Sequence, residues 1–126
     1  MKIARFAERT QLSPYTLRYY ETLGLLRIAR DTSGHRQFNE KDIEWVKFIT
    51  RLKETGMPLA QICAYAALRE KGAVTLSQRR QMLAEHQAVL QAHIAQAQAH
   101  LQALDNKIAF YDEALREQVA HQNAQV

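Results

Sequence analysis

Apolar and small residues recur at helical spacing in the opening stretch: Ile3, Phe6, Ala7 and then Thr10, with Arg5, Glu8 and Arg9 on the other side. This pattern predicts a short amphipathic helix over residues 3–10. Gln11-Leu12-Ser13 then reads as a three-residue turn. Ser13 can accept a backbone N–H at a helix start, and Pro14 suits the first helical position because it has no N–H to lose. On the helix that follows, Leu17 and Tyr20 face inward, Gly24 provides the stop, and Leu25-Leu26 return to the core. Tyr15, Thr16, Arg18 and Tyr19 are left on the outer face. Two short helices joined by such a turn make a helix-turn-helix, whose second helix enters a major groove. The turn ordinarily wants Gly, and Gln11 would cost about 1 kcal/mol if it takes a positive φ.

Arg27-Ile-Ala-Arg-Asp-Thr-Ser-Gly-His-Arg-Gln-Phe38 reads as two short strands around a turn at residues 31–34. Ile28 and Phe38 are expected to pack inward, while Arg27, Arg30, His35 and Arg36 point out. Asn39 is placed to cap the next helix, with Asp42 reaching back to it. Ile43, Val46, Ile49 and Leu52 form that helix's buried stripe, flanked by Trp45 and Phe48. Thr55-Gly56 ends it. Pro58 opens a further helix carrying Leu59, Ile62, Cys63 and Ala66 on one face, which stops near Lys71-Gly72.

Beyond Thr75-Leu-Ser-Gln78, a capping-box pattern, no Gly or Pro interrupts the chain. Two seven-residue series run through this segment. One is Leu83, Leu90, Ala97, Leu104 and Tyr111; the other is Gln87, Ile94, Leu101, Ile108 and Leu115. Their alternating spacing of four and three defines a coiled-coil seam. About 40 residues of such helix span roughly 60 Å. A stripe of that length needs a partner helix, most economically from a second copy of the chain.

Composition narrows the picture. With 126 residues, 4 Gly and 2 Pro, the chain is expected to form one small, almost wholly helical domain with a long helical extension. No apolar run approaches the ~20 residues that a membrane span needs, and the N-terminus leads straight into a helix pattern rather than a signal peptide. A soluble, cytoplasmic protein with no membrane partner is therefore expected. Cys63 is the only cysteine, which excludes an intrachain disulfide and a multi-cysteine metal site. The net charge of +4 lies wholly in residues 1–57, with 11 Lys/Arg against 7 Asp/Glu; residues 58–126 hold 6 of each. A basic first half joined to a neutral second half suits a nucleic-acid module attached to something else.

Taken together, Leu17-Arg-Tyr-Tyr-Glu21, Gly24-Leu-Leu26, Gly34-x-Arg-x-Phe38, Asp42-Ile43, Phe48-Ile49, Leu52, Gly56-Met-Pro-Leu59 and Ile62, followed by a long helix, resemble the MerR family of transcriptional regulators. The resemblance covers residues 1–70 closely and the rest by architecture. It implies homodimers with a winged helix-turn-helix at each end of an antiparallel coiled coil. Such dimers bind palindromic operators inside promoters with an overlong spacer, and bend and untwist that DNA so that RNA polymerase can use it. By motif, Tyr15, Thr16, Arg18 and Tyr19 would contact base edges or phosphates from the recognition helix. Arg36, with His35 and Phe38, would contact the backbone from the wing. The chemistry agrees: an arginine can donate two hydrogen bonds to guanine or clamp a phosphate.

The metal-sensing branch of the family carries a cysteine pair beyond the dimerisation helix, and residues 112–126 contain no cysteine. Asp42-Ile-x-Trp-Val-x-Phe-Ile49 and Lys107-Ile-x-x-Tyr111 look instead like the small-effector, aldehyde- or electrophile-responsive branch. That branch is associated with a cysteine close to position 51, which is Arg51 here. Cys63 is the only substitute sensor, and on an apolar face beside Leu59 and Ile62 it reads first as a small hydrophobe. His86, His93 and His100 recur every seven residues beside the seam and read as a solvated flank. About 10 Å apart, they cannot chelate one ion within a chain.

No nucleophile–base pair, Gly-rich phosphate loop or ligand-spaced His/Cys cluster is present, so neither catalysis, a cofactor nor a metal is expected. The expected fold is all-α with a small β wing: a winged helix-turn-helix over residues 1–72, an antiparallel coiled-coil dimerisation helix over 73–118, and a frayed tail over 119–126. Dimerisation is assigned to Leu83, Leu90, Ile94, Leu101, Leu104, Ile108, Tyr111 and Leu115. The expected partners are double-stranded DNA, a second copy and, by the resemblance, RNA polymerase; the effector is not legible. The rival from another class is a coiled-coil adaptor whose N-terminal domain binds protein. An excisionase-like architectural factor is disfavoured by the long seam.

Overall fold

The computed structural model describes residues 1–124. Its elements follow in the order α1 (Ile3–Thr10), α2 (Pro14–Thr22), β1 (Ala29–Arg30), β2 (Arg36–Gln37), α3 (Glu40–Glu54), α4 (Leu59–Glu70), a 3₁₀ turn (Gly72–Thr75) and α5 (Leu76–Ala124). The two strands pair antiparallel, with Ala29 opposite Gln37 and Arg30 opposite Arg36. No helix among the described residues is long and apolar enough to cross a membrane.

Local chemistry explains most boundaries. Ser13 Oγ accepts the Thr16 N–H at 3.0 Å with Pro14 at the first position of α2. Asn39 and Asp42 exchange hydrogen bonds, both 3.0 Å, to open α3 as a complete capping box. Gln11 closes α1 at φ 59°, in the left-handed region that a Gly would occupy at lower cost. At the other end of α2, Gly24 takes φ 79°, and the Leu25 N–H reaches back to the Tyr20 carbonyl at 2.9 Å. Leu25 and Leu26 are thereby turned into the core.

The chain divides into two compact units, Met1–His86 and the chain from Gln87 onward. In the first, Phe6, Leu17, Tyr20, Val46, Ile49 and Ile62 are the most deeply buried large side chains. Phe6 stacks on Phe38 with ring centroids 4.3 Å apart. Trp45, Phe48 and Tyr65 form a three-ring cluster with centroids 5.9 to 6.3 Å apart, and the Trp45 Nε1–H donates to the Leu25 carbonyl at 2.6 Å. That bond ties α3 to the segment leaving α2. Arg69 lies over the indole, 4.1 Å from its centroid. Arg9 and Glu40 form a two-pronged ion pair between α1 and the start of α3, with the longer hydrogen bond at 2.8 Å. The guanidinium holds the Glu40 carboxyl below its ordinary pKa.

The first unit is larger than residues 1–72. Met82 and Leu83 pack against its core, and His86 Nε2 lies 2.8 Å from Thr55 Oγ1. Thr55 Oγ1 also lies 2.7 Å from the Arg51 carbonyl, to which its hydroxyl can donate. His86 is therefore half-buried and bonded rather than part of a solvated flank, and Leu83 lies against the head. Thr75 makes no capping box either. The 3₁₀ turn runs directly into α5, and the buried Thr75 hydroxyl turns back to the Leu68 and Gly72 carbonyls at 2.6 and 2.9 Å. Arg79 closes this junction by donating to Thr75 Oγ1 and the Gly72 carbonyl.

The second unit is the remainder of α5. The helix persists to Ala124, so residues 119–124 are helical rather than a frayed tail; 125 and 126 lie outside the described residues. Every residue from 91 to 124 is exposed, including Ile94, Leu101, Leu104, Ile108, Tyr111 and Leu115.

Candidate nucleic-acid interface

The outer face of α2 is built by what its inner face buries. Leu17 and Tyr20, each 2% exposed, fix the helix's rotation, and Lys53 sits over the Tyr20 ring from α3. The remaining positions turn outward as helical geometry requires. Tyr15 is 75% and Tyr19 46% exposed, and Arg18 is exposed without an ion-pair partner among the described residues. Thr16 is half-buried, its hydroxyl 2.9 Å from Ser13 Oγ at the helix start. An aromatic, a hydroxyl and a free guanidinium on one exposed face can read base edges and phosphates together.

The wing is held in place by carboxylates. Asp31 Oδ1 accepts the Ser33 and His35 N–H groups, both at 2.9 Å, and Gly34 completes the turn at φ 83°. Those amides, led by that of His35 and helped by Gln37, hold the Asp31 carboxyl below its ordinary pKa against a smaller opposing effect of burial. A depressed folded-state pKa stabilises the turn above the ordinary carboxylate pKa and ceases to do so as pH falls through the folded value. The Ser33 and His35 amide resonances should accordingly shift together in an NMR titration, with a midpoint below about 3.9, the unperturbed Asp value. A midpoint at or above that value would refute the assigned turn.

Glu21, in the last turn of α2, reaches the wing from the other side. It accepts Arg36 Nε at 2.7 Å and Arg30 at 3.4 Å, while Arg30 also donates to the Gly34 carbonyl at 3.1 Å. Arg36 thus lies in β2, half-buried against Glu21, and not on the hairpin tip pointing freely outward. His35 stands on the turn, exposed, with Nδ1 3.7 Å from Asp31. Phe38 departs further from expectation. It is 4% exposed and stacked on Phe6, so its ring faces the core and anchors the wing instead of meeting a DNA backbone. The wing and the start of α1 frame a shallow notch of about 310 Å³ lined by Lys2, Ile3, Arg30, Gly34, His35 and Arg36.

Two participants escaped the motif reading. Glu21 stands inside the Leu-Arg-Tyr-Tyr-Glu run but bonds 9 and 15 residues away, which no local spacing reports. Arg30 carries only the weak signal of one cation among four on a hairpin. Cys63, the substitute sensor, is a free and half-buried thiol on α4 packed against the core, apart from the wing and the outer face of α2.

Comparison with known proteins gives a consistent picture. A family profile described as MerR HTH family regulatory protein matches residues 1–69, and one described as MerR, DNA binding, matches residues 43–107. The chain is 36% identical over 112 residues to an HTH-type transcriptional regulator of Haemophilus influenzae, covering 88% of this chain and 83% of that one. Among solved structures, a MerR family transcriptional regulator from Listeria monocytogenes superposes with a TM-score of 0.88 at 31% identity, over 99% of this chain and 98% of that one. HiNmlR, a MerR family regulator lacking the sensor domain and solved bound to promoter DNA, does so with a TM-score of 0.76 at 34% identity, covering 89% and 86%.

Proposed function

Since the chain belongs to the MerR family of DNA-binding transcriptional regulators, we propose that it acts as a homodimer on a palindromic promoter operator and controls transcription by distorting that DNA. RNA polymerase is then the partner that uses the distorted promoter. The observation that carries this reading is the exposed outer face of α2, with Tyr15, Arg18 and Tyr19 beside a wing braced on the same helix. The promoter-bound HiNmlR structure supports it by likeness.

In this reading Tyr15, Thr16, Arg18 and Tyr19 contact the groove, and His35 and Arg36 meet the backbone. The apolar face of α5 pairs two chains, which matches the two-fold symmetry of a palindrome. Each phosphate neutralised steepens the salt dependence of binding.

Selection of duplexes from a random pool by the full chain should return a palindrome. Arg18→Ala should then weaken binding to that operator by about 1–3 kcal/mol, roughly 5- to 150-fold, measured by fluorescence anisotropy at fixed salt. Unchanged DNA affinity would favour the adaptor reading, in which the same face binds protein.

A further inference from the structure

Glu21 neutralises the wing while itself belonging to the recognition helix. Its side chain is only 24% exposed, and that of Arg36 34%, so their 2.7 Å contact is shielded from water more than an ordinary surface pair. The second guanidinium, from Arg30, shares the same carboxylate and is fixed to the Gly34 carbonyl. Both strands of the hairpin are thus bound to one acid on α2, and with the Phe6–Phe38 stack at its base the wing has little freedom to swing alone.

Resting on the DNA-binding reading, we propose that Glu21 is a specificity-determining residue, which makes the wing's phosphate contacts conditional on the recognition helix being seated in its groove. Arginine–phosphate attraction is blind to sequence and supplies nearly all non-specific binding. Arginines on a loosely held hairpin would reach phosphates from many poses of the head. Arg30 and Arg36, held by Glu21, meet the backbone only where α2 and the wing fit together, which is the pose in which α2 also meets base edges. Removing the carboxylate frees two guanidinium groups in every pose, while the matched pose loses its preorganisation. Non-specific binding gains; operator binding does not.

The test compares wild type, Glu21→Gln and Glu117→Gln on the selected operator and on a scrambled duplex across a salt series. Glu117 is exposed on the second unit, so its replacement makes the same change in net charge outside the unit that carries the wing. Glu21→Gln should raise scrambled-duplex affinity and steepen its log–log salt slope by about 1–2, close to one unit for each phosphate gained. The operator-to-scrambled ratio should fall at least about tenfold, whereas Glu117→Gln should leave it unchanged. Arg36→Lys keeps the charge without the planar donor set and should lower the ratio in the same direction, which covers a Glu21 variant that fails to fold. Equal effects of the two glutamate variants would overturn the assignment of Glu21 alone. A wild type without preference for any duplex would overturn the DNA-binding reading together with it.

Discussion

Leu101→Glu combined with Leu104→Glu should abolish the proposed homodimer, raising its dissociation constant by at least about a thousandfold. These side chains are 58% and 61% exposed on the second unit, at adjacent positions of the expected seam. In a paired helix each would be buried against apolar partners, so the variant would place four carboxylates in the dimer's interior. Burying unpaired charge costs several kcal/mol for each group. Sedimentation velocity over a concentration series reads the outcome. A variant that remains dimeric would move the interface off this stripe, and a monomeric wild type would remove the dimer altogether. Helical content should fall little, because α5 has no Gly or Pro and is rich in Ala, Gln and Leu.

Phe38→Ala should destabilise the head by about 3–5 kcal/mol, as large-to-small changes of a buried phenyl ring do. The ring is 4% exposed, and its stacking on Phe6 at 4.3 Å adds to what its burial contributes. The backbone beside it donates from Phe38 N to the Met1 carbonyl at 2.9 Å, so the ring's loss also loosens the union of the chain's opening with the end of the wing. Urea unfolding monitored by fluorescence gives the value. A loss below about 1 kcal/mol would mean that the hairpin base collapses onto the vacancy. Because the ring holds the wing without meeting DNA, its truncation should weaken operator binding through wing disorder, with no change in which bases are preferred.

The parts of this fold legible in the sequence are those decided within a few residues. The Ser13 cap, the Asn39–Asp42 box and the stop at Gly24 depend on contacts three to five positions apart, and each predicted element is present. Gln11 was legible as a strained position for the same reason, since a helix-turn-helix turn demands a left-handed residue there. Reading failed where a distant group decides the outcome. Thr75-Leu-Ser-Gln78 has the letters of a cap, but the 3₁₀ turn supplies the preceding backbone, and the hydroxyl is used on the end of α4. Leu83 and His86 follow the heptad, yet the head claims both. Phe38 follows the wing's motif, and Phe6, 32 positions earlier, draws it inward. Arg36 shows the converse: the motif places it on the wing, while the carboxylate that holds it there was not legible.

Trp45 is the chain's sole tryptophan, and it lies where α3, α4 and the segment behind the recognition helix meet. Its indole carries a hydrogen bond on the edge and a guanidinium on the face. Emission from this one chromophore is therefore an optical signal from the head alone. Far-ultraviolet circular dichroism, by contrast, is weighted toward the 49-residue α5. The two signals separate, without labels or truncation, the melting of the reading head from the melting of the helix that would join it to another.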